Sequence, residues 1–302
     1  MKIVTWNING IRARLPLVLE WLKQHQPDII ALQEIKCMDE NFPKLEFEDL
    51  GYNVEIFGQK SFNGVALLSK IPFDEVNRSL AGNDEDEQAR LIEGVFSTET
   101  GVVRICNIYL PNGNPVNGDK QYYKMEKEQT AGVFHLRQGF GGQAGSGAKR
   151  PTATSIKENK SDKFPYKLSW MDRLIEFTKQ RLKFEEPFIL LGDFNIIPSK
   201  LDVHNAKAWW GDALYRAESL EKFRTLQNLG LVDAIRSVSN EPNYSFWDFQ
   251  AGAWRKNNGI RIDFLMLSSQ AADCLVSAKT HKDARGLERP SDHVPVEAVF
   301  EF

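Results

Sequence analysis

Five short β-favouring runs in this chain each end in, or carry at their edge, polar side chains, and that arrangement leaves few folds open. The polar groups read Thr5-Trp6-Asn7-Ile8-Asn9-Gly10, Leu32-Gln33-Glu34-Ile35-Lys36, Leu191-Gly192-Asp193-Phe194-Asn195, Arg261-Ile262-Asp263-Phe264 and Ser291-Asp292-His293-Val294-Pro295. Beside them lie apolar stretches such as Ile29-Ile30-Ala31-Leu32 and Phe188-Ile189-Leu190-Leu191, which are signatures of buried strands. A single Asp or Asn at a strand end is ordinarily turn chemistry or a helix cap. Five such groups, with Asp-x-Asn and Asp-His pairs among them, instead describe strands that deliver carboxylates and amides to one common edge.

Between these runs the period changes to that of helices. Leu15, Val18, Leu19 and Leu22 keep helical spacing until Pro27-Asp28, and Leu168, Met171, Ile175, Thr178 and Leu182 repeat the pattern before the Phe188 strand. Phe223, Leu226 and Leu229, stopped by Gly230, predict a third helix. Further strand-like runs cover Val65 to Leu68, Leu91 to Phe96 and Val102 to Tyr109. Strands and helices mixed at this density predict an α/β protein with two sheets packed face to face. With 302 residues, 42% of them hydrophobic, one catalytic domain over 1–302 can bury a single large core.

A formal charge of -3 and a pI near 6.0 exclude a globally basic nucleic-acid binder, so any contact with DNA must come from local patches. Cys37, Cys106 and Cys274 are widely separated and lack zinc-site spacing; a reducing compartment fits them. The chain begins directly with strand-like Met1-Lys2-Ile3-Val4 and has no run approaching a membrane span. A soluble cytoplasmic protein, without a membrane partner and monomeric, is expected.

Phosphodiester hydrolysis needs a cation for the non-bridging oxygens, a base or orienting group for water, and stabilisation of the departing alkoxide. Glu34 and Asp292 are hard oxygen ligands of the kind Mg2+ prefers, and Asn7 can add a neutral oxygen. Asp193 and Asn195 share a face if the local backbone is extended. His293 follows Asp292 directly; a carboxylate such as Asp263 on one ring nitrogen would fix its tautomer and favour an imidazolium facing phosphate. Tyr109 ends a strand, and the aromatic segment Tyr244-Ser245-Phe246-Trp247-Asp248-Phe249 reads equally well as core or as a binding wall.

Taken in order, these blocks, together with Ile108-Tyr109-Leu110-Pro111-Asn112-Gly113, resemble the exonuclease III family of apurinic/apyrimidinic endonucleases, within the endonuclease/exonuclease/phosphatase superfamily. The resemblance spans nearly the whole chain. It implies a DNase I-like, four-layer αββα sandwich, two mixed β-sheets flanked by helices, with the site at one end of the sheets. It further implies metal binding through Glu34, with Asn7, Asp193, Asn195, Asp292 and His293 around it, and catalysis by Tyr109, Asp193, Asn195, Asp263 and His293. Arg90 and Asn112 would contact DNA, and Trp247, with a residue near Ile260, would wall a pocket for a flipped-out baseless sugar. The implied activity is Mg2+-dependent cleavage 5' to abasic sites in double-stranded DNA, leaving a 3'-hydroxyl, with Mn2+ able to substitute. Processing of 3'-blocked ends and 3'-to-5' exonuclease activity would accompany it, in a cytoplasmic enzyme brought to the nucleoid through DNA.

One stretch departs from that family. From about 119 to 162 the chain is small and polar, with Gly139-Phe140-Gly141-Gly142-Gln143-Ala144-Gly145-Ser146-Gly147 at its centre, and it reads as a flexible insertion of roughly 40 residues. A tolerated surface loop is the simpler reading, since closure entropy grows only logarithmically with length; its Lys149-Arg150 and Lys157 also allow a DNA tether. Two rival functions remain on the sequence: a superfamily phosphatase or phosphodiesterase acting on a lipid or inositol phosphate, and a catalytically impaired DNA-binding module.

Overall fold

Alternation along the strands sets the layers. In a computed structural model of the chain, which describes residues 1–116 and 162–302, β1 (Lys2–Asn7) turns Ile3 to one side and Val4 and Trp6 to the other. β2 (Ile29–Gln33) divides in the same way, Ile29 and Ala31 against Ile30 and Leu32. Side-chain period two gives each strand two buried faces, so both strands are apolar throughout.

The first sheet adds β3 (Asn53–Phe57), β4 (Val65–Ser69), β11 (Leu275–Thr280) and β12 (Val296–Phe300), in the order β11-β12-β1-β2-β4-β3. The second contains β5 (Glu75–Asn77), β6 (Leu91–Thr98), β7 (Gly101–Tyr109), β8 (Phe188–Asp193), β9 (Val232–Asp233) and β10 (Asp263–Leu267), in the order β5-β6-β7-β8-β10-β9. Each is mixed: β1 runs parallel to β2 but antiparallel to β12, and β8 runs parallel to β7 but antiparallel to β10.

The inner faces meet in one apolar layer that includes Ile3, Ile29, Ala31, Val65 and Leu67 from the first sheet and Ile105, Ile189, Leu191, Leu265 and Leu267 from the second. The helix α1 (Ile11–His25) covers the first sheet's outer face with Val18, Trp21 and Leu22; the short α2 (Lys44–Glu48) adds Phe47. On the opposite outside, α3 (Lys163–Leu182) and α4 (Ala217–Gln227) cover Cys106, Ile108, Leu190 and Phe264 with Trp170, Met171, Leu174 and Phe223. The four layers are therefore helix, sheet, sheet, helix. The insertion expected at about 119–162 lies, apart from Asp162, outside the described residues.

Two site segments lie outside regular strands. His293 precedes β12, in an irregular segment joined to Phe246 by a single bridge. The aromatic segment around Trp247 is linked through Phe246 by isolated bridges, so its facing does not follow from a regular alternation.

Candidate active site

At one end of the sandwich the inward-facing positions become polar. Asn7 follows Ile3 and Thr5 in phase on β1, Tyr109 follows Ile105 and Asn107 on β7, Asp193 follows Ile189 and Leu191 on β8, and Asp263 precedes Leu265 and Leu267 on β10. The register sets Tyr109 beside Asp193 and Asp193 beside Asp263. Gly192 permits that approach: it adopts φ +139°, and a Cβ there would stand 1.9 Å from the Ile108 carbonyl oxygen.

Asp193 is almost fully buried. Its Oδ2 accepts a hydrogen bond from Asn7 Nδ2 at 2.9 Å and its Oδ1 one from the Asn195 backbone N–H at 2.8 Å. Burial pushes its carboxyl up to about 7, opposed by the nearby His293. Asn195 has φ +48°, so the extended backbone assumed from the sequence does not hold, and a tight turn brings the amide into the site instead. Asn112 Nδ2 donates to Asn195 Oδ1 at 2.9 Å. The buried ammonium of Lys167 donates to the Asn195 and Asn112 carbonyls at 2.7 and 3.1 Å, tying both turns to α3.

His293 Nδ1 is 2.9 Å from Asp263 Oδ2, and Ser245 Oγ donates to the same oxygen at 2.6 Å. Burial opposes the charged ring, but Asp263 and then Asp193 outweigh it and raise His293 to about 10. An imidazolium carries no free lone pair for a metal. In this charged form, with Nδ1 held by Asp263 and Nε2 3.8 Å from Asp193 Oδ2, His293 is a hydrogen-bond donor. Asp193, Asp263 and His293 do bring possible ligand atoms together, but as a charge-compensated group.

Glu34, Asp292 and Asn7 face the same pocket, a cavity of about 230 Å³. Asp292 Oδ1 accepts from Asn9 Nδ2 at 3.0 Å, and Lys36 lies 3.1 Å from Glu34 Oε1. Two carboxylates and an amide oxygen make a donor set suited to a hard divalent cation that keeps water among its ligands. Burial first, then the charges of Glu34 and Asp193, hold the Tyr109 hydroxyl well above the ordinary phenol range. It is therefore a phenol able to donate. Arg90 lies over the Tyr109 ring at 5.0 Å and donates to the Tyr109 carbonyl at 3.0 Å.

Trp247 requires a correction. The residue is 1% exposed, packs edge-on against Trp254 and is not among the residues that line the pocket. The wall is built by the preceding Phe246 with Ile260, Ile262, Leu214 and Trp209; Phe246 also packs edge-on against His293 at 4.9 Å. Leu214, Trp209 and Asn114 carried no sequence signal for the site, whereas Lys167 carried one: it lies four residues before Met171 on the buried stripe of α3. Among the described residues, no helix is long and apolar enough to cross a membrane.

Comparison with known proteins agrees with this geometry. The model of the Endonuclease/Exonuclease/phosphatase family matches residues 4–293. Exodeoxyribonuclease III of Haemophilus influenzae is 31% identical over 99% of this chain and 100% of its own. An AP endonuclease from Archaeoglobus fulgidus superposes with a TM-score of 0.81 at 29% identity, covering all of both chains. The 3' phosphatase NExo from Neisseria, solved with a product DNA hairpin, gives 0.82 at 30% identity, again with full coverage.

Proposed function

We propose, from the premise that this chain belongs to the endonuclease/exonuclease/phosphatase family and is an exonuclease III-like nuclease, that it is a Mg2+-dependent AP endonuclease. It cuts the DNA backbone 5' to an abasic site to leave a 3'-hydroxyl. The same centre removes 3'-phosphates and other 3'-blocking groups and acts as a 3'-to-5' exonuclease, on cytoplasmic DNA and as a monomer of one domain. The observation that carries this reading is a single pocket with hydrolytic groups on its floor and an apolar wall of Phe246, Ile260 and Leu214. Such a wall suits a sugar without its base, whose missing stacking also lowers the cost of flipping it out.

Glu34, Asp292 and Asn7 would hold the cation, which when bound neutralises charge on the phosphate and the departing oxygen. Asp193, steadied by Asn7 and the Asn195 N–H, orients water and takes its proton as the oxygen attacks phosphorus. The P–O3' bond breaks, the new P–O bond stays on the 5'-phosphate, and the departing 3'-oxygen takes a proton from solvent water. Tyr109, the Asn112 amide and the imidazolium of His293 donate to the phosphate oxygens, fixed in place before the charge develops. Arg90 meets the backbone alongside.

The test is cleavage of an end-labelled duplex carrying one abasic-site analogue, beside intact, 3'-recessed and 3'-phosphorylated duplexes, with Mg2+ or EDTA. Metal-dependent incision immediately 5' to the lesion is expected, abolished in Asp193→Asn while DNA affinity remains. No incision of any duplex by the folded protein, or near-normal rates in Asp193→Asn, would overturn the reading.

A further inference from the structure

One layer below the catalytic groups, the apolar filling between the sheets is interrupted by three wholly buried polar residues: Thr5, Gln33 and Asn107. Gln33 Nε2, from the first sheet, donates to Asn107 Oδ1 of the second at 2.7 Å and to Thr5 Oγ1 at 2.8 Å. Asn107 Nδ2 returns across the gap to the carbonyls of Leu32 and Ala66, both at 2.9 Å, which lie opposite each other on β2 and β4. One amide thus grips two strands of the facing sheet while being gripped by a third residue. Gln33 Oε1, in contrast, makes no hydrogen bond among the described residues.

A network that strands a buried acceptor is a poor device for stability, because a half-satisfied polar group in low dielectric is worse than an apolar filling. It is a good device for geometry, since directional bonds fix a spacing that interdigitating aliphatic groups leave adjustable. Its place in the chain says which spacing. Gln33 immediately precedes Glu34, Thr5 lies two residues before Asn7, and Asn107 two before Tyr109. Glu34 and Tyr109, one from each sheet, therefore face the same pocket directly above the clamp.

We propose that Gln33 and Asn107 are positioning residues: their inter-sheet clamp sets the separation between the metal-side groups, Glu34 and Asn7, and the phosphate-side groups, Tyr109 and Asp193. The clamp touches neither metal nor substrate. The inference rests on the AP-endonuclease reading only for its activity assay.

The test uses the full chain and two variants, Gln33→Met and the length-conserving exchange Gln33→Asn with Asn107→Gln, beside Gln33→Asn alone. Single-turnover incision is measured against Mg2+ and against DNA concentration, and Mn2+ binding without DNA is measured by calorimetry. Gln33→Met is expected to lose about tenfold or more in kcat and to bind Mn2+ at least about threefold more weakly, with the KM for DNA within about twofold, since small displacements of reacting groups act on turnover. The exchange is expected to recover part of what Gln33→Asn alone loses. Folded Gln33→Met with unchanged kcat and Mn2+ affinity, or an exchange no better than Gln33→Asn, would overturn the clamp. Should Gln33→Met fail to fold, the comparison of the exchange with Gln33→Asn decides. If the wild-type chain incises no duplex, the activity reading falls while Mn2+ affinity still judges the clamp.

Discussion

Replacing Asp263 with asparagine separates two reasons for an aspartate to lie beside His293. Asp263→Asn keeps the shape and one acceptor for the ring N–H, yet removes the charge that contributes most to raising the imidazole to about 10. With Asp193 pushed up to about 7 and His293 to about 10, the form with carboxylate and imidazolium together dominates near pH 8.5. Activity should rise through the first value and fall through the second. Without Asp263 the largest charge that raises the ring is gone, and burial is opposed only by Asp193 and Asp292, so His293 titrates lower than in the wild type. The alkaline limb of the variant should therefore move to lower pH, with its rate deficit largest just below about 10.

Stability gives an independent sign. A histidine raised from 6.5 to about 10 stabilises the folded state fully below 6.5, and that contribution disappears as the pH rises through about 10. The whole interval corresponds to about 5 kcal/mol at about 1.4 kcal/mol per pH unit, of the order expected for breaking a buried ion pair. The melting-temperature deficit of Asp263→Asn should therefore be largest near pH 6 and shrink towards pH 10. The assays are single-turnover incision of an abasic duplex from about pH 5.5 to 10.5 and calorimetric melting over the same range. A variant whose alkaline limb coincides with the wild type's would refute the assignment of that limb to His293.

Glu34→Gln should raise the Mg2+ concentration for half-maximal rate about tenfold or more while leaving DNA affinity unchanged, as read from metal titrations. Gly192→Ala meets the Ile108 carbonyl at 1.9 Å with φ at +139° and should cost about 3–5 kcal/mol, measured by denaturant unfolding. Lys167 is held near 7 by burial, below its ordinary 10.5; the unfolded chain binds more protons between those values, so wild-type stability should gain on Lys167→Met as the pH rises through that window. Deleting residues 120–161 should leave both incision and the salt dependence of DNA binding unchanged; a shallower salt slope would make the segment a DNA tether.

Much of this architecture is legible in residue order because strands impose parity. Asn7, Tyr109, Asp193 and Asp263 occupy the same inward phase as aliphatic residues of their own strands, so the polar end of the sandwich can be read from alternation. Parity fails where regular structure does. The resemblance, not parity, points to Trp247 as a wall; its segment is held by bridges alone, and the pocket is faced by Phe246 instead. Asn195 was placed by assuming an extended backbone that its left-handed turn replaces. Lys167 was passed over because lysine is ordinarily a surface residue. Its two carbonyl bonds depend on loops, around Asn112 and Asn195, that no local pattern places together.

Strain is a second reason why local pattern does not reach the whole site. Asn9, Glu34, Lys36 and Asn195 all have positive φ without being glycine, and each left-handed residue costs about 1–2 kcal/mol. Local preference therefore argues against the conformations the site uses, and only surrounding structure can hold them. Backbone bonds hold Glu34 and Lys36: Gly10 N–H donates to the Glu34 carbonyl at 2.7 Å and Lys36 N–H to that of Asn63 at 3.0 Å. Asn9 is held through its side chain by Asp292 and Lys36, and Asn195 by the Leu110 carbonyl. A chain could keep every strand-end carboxylate and still lose the site if this support relaxed. The residues that make the pocket a nuclease site are thus inseparable from those that merely hold its turns.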